Sequence, residues 1–463
     1  MTSYYDGLLK LCGFEDGEIA EGRPRIEKAF HKVGLGPQDF QRAEKWVTEQ
    51  HDVALLGMRK VMRIWLLELF DLVLAKEDGK RCVYYGYPSI MGPGAAIKAA
   101  SKEGDLWVGC PDVVLCHTLG QIFNKLTPVL EAAEARGLPP GHGLCSLQQV
   151  RNGGLALGII PVPDLVTGSS YFCDMGSKAD ELLHEIYGHR AIYVDGCLDG
   201  KWGEGSYYKP EKITFFGAQI NKLFDTVREV LGVEVNKEAF NKAMVMRTEL
   251  YSKIGEFSQL KTADPLPISD VEASMAIQLI AASTGRSMTE GPGALNILCR
   301  EIKERVDKGV GVVEKGAPRV LNFFPPFSDP RIAHMMEKAG LAVSMGVVSS
   351  APPEPNAPTF ATLGEELAYM AIRTGVYHSA YGMARQFEES VKRLKIDGVI
   401  WGYLYNCRPL ALGSHLVKHW IEEKTGVPTL ALEVDIYDSR YYSAESLRTR
   451  VEAFAELLNA RKA

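Results

Sequence analysis

Apolar positions recur every three or four residues through most of the first 75 residues, and this spacing predicts amphipathic helices. The same spacing returns between residues 209 and 308. Elsewhere, short apolar runs bounded by Gly, Pro or Asp separate the helical segments, and such runs predict strands. The chain therefore contains two all-helical regions and two regions in which strands and helices alternate.

Strands of the first alternating region are predicted over RCVYYGYPS, PDLVTGSS and RAIYVDG. A helix separates the last two strands, and Ser177 could cap it. The apolar run DLWVGCPDVVLC is not assigned to a helix or a strand. Strands of the second region are predicted over RVLNFFPP, LAVSMGVVSS, DGVIWGYLY and VPTLALEVD. Strands that alternate with helices usually pair in parallel, so each region predicts a doubly wound sheet.

The predicted fold class is α/β, with two doubly wound (flavodoxin- or Rossmann-like) parallel-sheet domains, an N-terminal helical region and a helical connector. A chain of 463 residues is long enough for two or three domains. The expected divisions are an N-terminal helical region at 1–78, a first α/β domain at 79–205, a helical connector at 206–315 and a second α/β domain at 316–463.

Charge and composition argue against some partners. A net charge of -6 is unlike the basic balance of most nucleic-acid-binding proteins. The sequence lacks the run of about 18 apolar residues that a membrane helix needs, and its acidic N-terminus lacks the pattern of a signal peptide. We expect a cytoplasmic protein with neither a nucleic-acid nor a membrane partner.

Cysteines provide the candidate chemistry. The chain has nine, and in a reducing compartment they are expected to be free thiols. Cys173 and Cys407 each follow a predicted strand and precede a helix, which is where open parallel sheets bind ligands. The hypothesis is that these two thiols and Cys145 hold one iron–sulfur cluster between the two α/β units. The alternative is that all three are structural.

The predicted positions of these thiols have chemical consequences. Helix N-termini carry partial positive charge, which lowers a thiol pKa and stabilises an anionic iron–sulfur cluster. Three thiolates leave one iron of a four-iron cluster without a cysteine, and that iron could bind water or a substrate oxygen. An open metal position allows activation of a carbonyl group.

Other candidate ligands fit less well. The histidines of HEIYGH are five residues apart, not the four that a zinc-protease helix requires, so a solvated helix end is expected there. Cys110, Cys116 and His117 could be metal ligands or incidental, and Cys197, at another strand end, could join such a site. The remaining residues considered are Cys12, Cys82 and Cys299, expected to be structural; His415 and His419, expected on one surface helix; and Asn406 and Arg408, which flank Cys407.

Three segments together resemble the 2-hydroxyacyl-CoA dehydratase / benzoyl-CoA reductase family. They are CSLQQVR, VPDLVTGSSYFCD and the long run from DGVIWGYLYNCRPLALGSH to LRTRVEAF. The last run is the most specific, because a cysteine, a helix, Gly-Val-Pro, a strand ending Glu433-x-Asp435 and then Asp438-x-Arg440 follow in order. The resemblance covers roughly residues 140–463.

The resemblance implies a large subunit that holds a [4Fe-4S] cluster with three cysteines, and the matching positions are Cys145, Cys173 and Cys407. It also implies a homologous second subunit (or self-pairing) and an ATP-dependent iron–sulfur activator protein as electron donor. The sequence lacks a Walker motif, which suits the catalytic subunit and not the activator. The implied reaction is loss of water from an (R)-2-hydroxyacyl-CoA by one-electron reduction to a ketyl radical, a lyase activity.

Two alternatives remain open within the resemblance. One is a benzoyl-CoA reductase-type subunit that reduces an aromatic acyl-CoA. The other is a double-cubane or electron-carrying relative without acyl-CoA chemistry. The general base, the CoA-binding residues and the identity of the acyl-CoA have no signal in the sequence.

Overall fold

A computed structural model describes residues 3–86, 91–138, 144–170, 173–195, 209–323, 329–345, 358–373, 380–404 and 407–462. The N-terminal region is helical, as predicted. Its rings pack against one another, with the Phe30 and Phe40 centroids 4.7 Å apart. The helices are α1 (Asp6–Leu11), α2 (Asp16–Val33), α3 (Pro37–Gln50) and α4 (Leu56–Val73).

The first lobe is built on a four-stranded parallel sheet. Its strands are β1 (Arg81–Tyr85), β2 (Leu106–Gly109), β3 (Leu165–Ser169) and β4 (Arg190–Val194). Its helices are α5 (Met91–Ala100), α6 (Pro111–Leu115), α7 (Thr127–Glu134), α8 (Ser146–Ala156) and α9 (Asp174–Tyr187), with a π-helical turn over Cys116–Ile122. The apolar run DLWVGCPDVVLC, which had no assigned element, thus forms strand β2 and helix α6.

A helical region follows, also as predicted. Its helices are α10 (Pro210–Leu231), α11 (Lys237–Leu260), α12 (Asp270–Ala282), α13 (Arg286–Thr289) and α14 (Gly291–Asp307). This region packs against the β2 edge of the first sheet, where the backbone N–H of Cys110 donates to the carbonyl of Ala282 at 2.8 Å. Among the helices of the described ranges, none has both the length and the apolar composition of a membrane span.

The second lobe contains another four-stranded parallel sheet. Its strands are β5 (Arg319–Phe323), β6 (Ala342–Met345), β7 (Gly398–Tyr403) and β8 (Thr429–Glu433). Its helices are α15 (Pro330–Lys338), α16 (Leu363–Arg373), α17 (Ala380–Leu394), α18 (Arg408–Ala411), α19 (Ser414–Thr425) and α20 (Ala444–Lys462), with a 3-10 turn over Ser439–Tyr441.

The two sheets have the same topology. Strand order is β2-β1-β3-β4 in the first and β6-β5-β7-β8 in the second. In each sheet, the second strand of the chain pairs with one side of the first strand, and the third strand pairs with the other side. A topological switch point therefore lies between β1 and β3 and between β5 and β7. The two α/β lobes share an architecture without a visible sequence repeat. The four expected domain divisions stay predictions, and each sheet lies within one of them.

Helices cover both faces of the second sheet. On one face, Val320 packs in a separate apolar cluster with Ile332 of α15 and Phe454 of α20. On the other, Trp401 of β7 lies 5.3 Å from Phe387 of α17, between ring centroids. Strands buried on both faces are apolar along their whole length, which explains why β7 reads as a continuous apolar run.

Helix α9 begins earlier than predicted. Cys173 occupies the N-cap position and Asp174 is the first helical residue, so the prediction that Ser177 caps the helix is wrong. The sequence preference of serine for a cap is a weak local term. Strand β3 ends at Ser169 and α9 begins at Asp174, so the cysteine itself lies at the helix N-terminus.

Gly153 allows helices α7 and α8 to touch. A Cβ atom at this position would lie 1.8 Å from the carbonyl oxygen of Val129, which leaves no room for any side chain. The glycine pair that weakens the predicted helix is therefore used for close packing. In contrast, a Cβ at Gly255, on the exposed side of α11, would meet nothing within 4 Å.

Replacing Gly153 by Ala is expected to lower the free energy of unfolding by about 1–3 kcal/mol, because the backbone of α7 must move. Gly255→Ala is the matched control, and it should raise stability by roughly 0.5–1 kcal/mol because alanine is the better helix former. Denaturant unfolding of both variants measures the difference. Equal stability of the two variants would contradict this account of α7–α8 packing.

Candidate functional site

The three cysteines singled out in the sequence lie at helix N-termini. Cys145 precedes α8 and Cys173 precedes α9, both with extended backbone, and Cys407 precedes the short helix α18. The first amide groups of a helix have no partner within it, so they favour negative charge beside them. A thiolate suits such a position.

Cys173 and Cys407 lie close enough to Cys145 for their charges to act on it. The pKa of Cys145 is raised well above its usual value, first by burial and then by Asp435, Cys173 and Cys407. The backbone N–H of Gln148, in the first turn of α8, does lower the pKa of Cys145, but desolvation outweighs this contribution. Metal charge would have to replace the proton for this cysteine to become a thiolate.

Equivalent strands of the two sheets lead to two of these cysteines. Cys173 follows β3 and Cys407 follows β7, and each strand borders the switch point of its sheet. Ligands of open parallel sheets bind in the crevice at this point. Cys145 lies in the first lobe, so the three thiols bring together the ligand-binding edges of both sheets.

The three thiols do not form a site for a single ion. Within the described ranges, no group of three or more His, Cys, Asp or Glu side chains is spaced to hold one metal ion. A four-iron cluster differs, because its own irons and sulfides lie between the ligands and its ligands are thiolates. A donor set of three nearby cysteines from two lobes, each at a helix N-terminus, fits such a group.

Gln148 connects the first two cysteines. Its side-chain Nε2 donates a hydrogen bond of 3.3 Å to the sulfur of Cys173. Its backbone N–H donates to the carbonyl of Cys145 at 3.0 Å, one turn earlier in α8. Gln148 therefore contacts both cysteines.

Asp435 ties the second lobe to the N-terminus of α8. Its carboxylate accepts from the backbone N–H of Ser146 at 3.3 Å and from the backbone N–H groups of Tyr437 and Asp438 at 3.1 and 3.0 Å. The Tyr437 N–H also donates to the hydroxyl of Ser146 at 3.0 Å. Burial raises the pKa of Asp435 even though these donors lower it. This contact holds the two lobes together beside Cys145.

Arg151 occupies a buried network at the carboxyl edge of the first sheet. It donates to both oxygens of Asp112, to Asp180 and to the carbonyl of Tyr85 at 3.1 Å. All three charged side chains are at most 4% exposed. Burial raises the pKa of Asp180 to about 6, although Arg151 acts against this. The network joins α6, α8, α9 and the end of β1.

Cys110, Cys116 and His117 are completely enclosed by protein. Cys116 lies near Cys145 and Cys110, and burial raises its pKa well above the usual value. The His117 ring stacks on Trp65 with centroids 4.2 Å apart, and its Nδ1 lies 2.9 Å from the carbonyl of Val113. Burial lowers the pKa of His117 to about 4. Their role as additional ligands stays a prediction.

The remaining candidates are placed as follows. His189 is only 6% exposed, so the expectation of a solvated helix end is wrong for it, and His184 lies against its carbonyl. His419 is exposed and 3.6 Å from Glu423, as expected of a surface residue. Cys12, Cys82 and Cys299 are buried, as structural residues should be. The expectations for Cys197, for Asn406 and for the Arg408 side chain fall outside the described residues.

Sequence reasoning assigned no role to Gln148, Arg151 or Asp435. Both Gln148 and Arg151 lie in the same buried helix as Asn152, and all three are less than 9% exposed. The available signal was a helix that follows a candidate ligand and carries polar residues three and four positions apart. The sequence could not show that this polar face is buried.

Comparisons with known proteins agree with the resemblance. The family described as "2-hydroxyglutaryl-CoA dehydratase, D-component" matches residues 112–458. The (R)-2-hydroxyisocaproyl-CoA dehydratase alpha subunit of Clostridioides difficile is 20% identical over 389 residues, which are 78% of this chain and 92% of that protein.

Two further relatives differ in the extent of their match. The (R)-phenyllactyl-CoA dehydratase alpha subunit of Clostridium sporogenes is 20% identical over 72% of this chain and 80% of its own length. A benzoyl-CoA reductase subunit of Thauera aromatica is 25% identical over 75 residues, only 16% of this chain. Because the family match spans most of the chain and both lobes, the predicted resemblance is confirmed, and this protein belongs to the 2-hydroxyglutaryl-CoA dehydratase D-component family.

Proposed function

We propose that this chain is the iron–sulfur subunit of a radical (R)-2-hydroxyacyl-CoA dehydratase, a lyase that converts its substrate into an enoyl-CoA and water. The observation that carries the proposal is the approach of Cys173 and Cys407 to Cys145 across two lobes. Membership in the dehydratase family and the long matches to two dehydratase alpha subunits support it.

The proposed ligands of a [4Fe-4S] cluster are Cys145, Cys173 and Cys407. When bound, such a cluster supplies a low-potential electron and one iron that lacks a cysteine ligand and is open to a substrate oxygen. An ATP-dependent iron–sulfur activator protein is the proposed electron donor. A homologous second subunit, or a second copy of this chain, is the proposed partner.

The side chains of this protein would orient and enclose that chemistry. Gln148 donates to the sulfur of Cys173, and Asp435 joins the lobes at the residue after Cys145. Protein atoms surround Cys145, and burial is the main cause of its raised pKa, although the residue stays partly exposed. Excluding water in this way strengthens electrostatic interactions and protects reactive intermediates. The acyl thioester would bind in the crevice between the carboxyl edges of the two sheets.

Two observations favour second candidates. The short match to the benzoyl-CoA reductase of Thauera aromatica favours a reductase-type subunit. Cys116 lies within electrostatic range of Cys145 and Cys110. This favours a protein in which further cysteines bind iron and which carries electrons.

Anaerobic turnover by the assembled complex tests these functions. The complex and its activator are incubated with ATP, a reductant and either lactoyl-type or benzoyl-type CoA thioesters. We expect an enoyl-CoA from the (R)-2-hydroxyacyl-CoA, detected by chromatography and mass. Reduction of the aromatic thioester alone would favour the reductase. An intact iron–sulfur cluster with turnover of neither thioester would favour the electron carrier and contradict the dehydratase.

A further inference from the structure

Gln148 donates a side-chain hydrogen bond directly to a proposed cluster ligand. Its Nε2 lies 3.3 Å from the sulfur of Cys173. Gln148 is only 7% exposed and sits in the first turn of α8, and its Oε1 is buried with no hydrogen-bond partner among the described residues. The Gln148 side chain is therefore shielded from bulk water, whereas Cys173 itself is partly exposed.

Helices α8 and α9 are joined twice along their length. Gln148 donates to Cys173 at the N-terminus of α9, and Arg151, one turn further along α8, donates to Asp180 within α9. The Arg151–Asp180 pair is buried, with both side chains 4% exposed. This second contact keeps the two helices in register, so the distance from the Gln148 amide to the sulfur is set by more than one bond.

The direction of this hydrogen bond has an electrostatic consequence. A thiolate can only accept a hydrogen bond, so the N–H side of the amide must face Cys173 once metal is bound. Adding one electron makes the iron–sulfur cluster and its thiolates more negative, and a donor stabilises the more negative state more strongly. Hydrogen bonds to the sulfurs are among the determinants of iron–sulfur reduction potentials.

We propose that Gln148 is a positioning residue that raises the reduction potential of the iron–sulfur cluster through Cys173. This rests on the proposed function, since it needs Cys173 to be a ligand. In the reduction step, one electron passes from the external donor to the cluster, and the amide proton stays on Nε2. No additional reactant is required. Gln148 would thereby make a very unfavourable electron transfer to the cluster less unfavourable.

Gln149 provides a matched control. It is the next residue of the same helix, is 1% exposed, and its Nε2 donates to the carbonyl of Leu138 at 2.8 Å. It therefore resembles Gln148 in burial and hydrogen bonding, but its amide is directed to a backbone carbonyl and not to a cysteine sulfur. A change that depends only on disturbing α8 should appear in both variants.

The test measures iron, sulfide and the midpoint potential in wild type, Gln148→Leu, Gln148→Glu and Gln149→Leu, by redox titration followed by electron paramagnetic resonance. We expect Gln148→Leu to disfavour reduction about tenfold, a negative shift of about 59 mV for a one-electron couple. Gln148→Glu should shift the potential further in the same direction, because it places a negative charge at the sulfur. Gln149→Leu should leave the potential unchanged.

Two results would overturn the inference. The first is a full complement of iron in Gln148→Leu with an unchanged potential. The second is loss of iron from both Gln148 variants while Gln149→Leu retains it, since Gln148 would then hold the ligand in place without setting the potential. Absence of iron from the wild-type protein would instead refute the proposed function, so the two failures are distinguishable.

Discussion

Alanine at Cys145, Cys173 or Cys407 is expected to abolish or strongly reduce iron and sulfide binding after anaerobic purification. Each residue lies at a helix N-terminus, and Cys145 lies within electrostatic reach of the other two. Each substitution leaves only two thiolates, either both from the first lobe or one from each lobe. A second iron then has no protein ligand. The measurement is iron and sulfide content together with the visible absorption of the cluster.

Other cysteines of the chain supply the controls. Cys12 and Cys299 are buried in the two helical regions and are expected to be structural, so neither is expected to bind metal. Alanine at these positions should leave the iron content unchanged. If all three ligand variants kept full iron, the site would be wrong. Partial loss of iron in Cys110→Ala or Cys116→Ala would instead indicate additional ligands for a second cluster.

Replacing Arg151 by Leu is expected to cause a large loss of stability. Arg151 is the buried cation that both Asp112 and Asp180 contact. Its removal leaves two carboxylates close together in a dry environment, and breaking a buried ion pair in this way typically costs about 3–5 kcal/mol. Denaturant unfolding followed by circular dichroism measures the loss. The double variant Arg151→Leu/Asp180→Asn should recover part of it.

The pH dependence of this variant has a definite sign. Burial already raises the pKa of Asp180 to about 6 with Arg151 present, and loss of the cation should raise it further. When the pKa of a carboxyl group is higher in the folded than in the unfolded protein, the group stabilises the fold most at low pH, below the unfolded pKa of about 3.9. Its contribution to the free energy of unfolding is lost as the pH rises through the folded-state pKa. The destabilisation by Arg151→Leu should therefore grow between about pH 5 and pH 8.

An exposed ion pair is the control for Arg151. Arg228 contacts Asp225 at 2.9 Å, with side chains 58% and 59% exposed. Surface pairs of this kind contribute little, so Arg228→Leu should scarcely change the unfolding curve at any pH. If Arg151→Leu behaved in the same way, Arg151 would not hold α6, α8 and α9 together as described.

Local signals explain which elements were predictable. Strands β7 and β8 and helices α10 and α11 were predicted because apolar runs and helical spacing act over a few residues. The start of α9 was misplaced because the preference of serine for a cap position is a weak local signal that does not fix where a helix begins. Strand β2 was unassigned because a short apolar run fits a strand and a buried helix equally well.

The candidate site was predictable only in part. Position after a strand drew attention to Cys173 and Cys407, Cys145 was grouped with them from the sequence, and the resemblance implied the same three residues. Gln148 lies within CSLQQVR, one of the segments that carry the resemblance, but its contact with Cys173 could not be predicted from the sequence. Only folding brings Arg151 to Asp112 and Asp180, and brings Ser146 to Asp435 from the other lobe.

The sequence by itself determined the α/β class, the two helical regions and the family, and it proposed the three cysteines. These follow from periodicity, strand ends and motifs, each of which is local. The tertiary structure alone decided the strand order shared by both sheets, the early start of α9 at Cys173 and the raised pKa of Cys145. Such properties depend on contacts between distant segments and on burial, and neither is encoded at any single stretch of the chain.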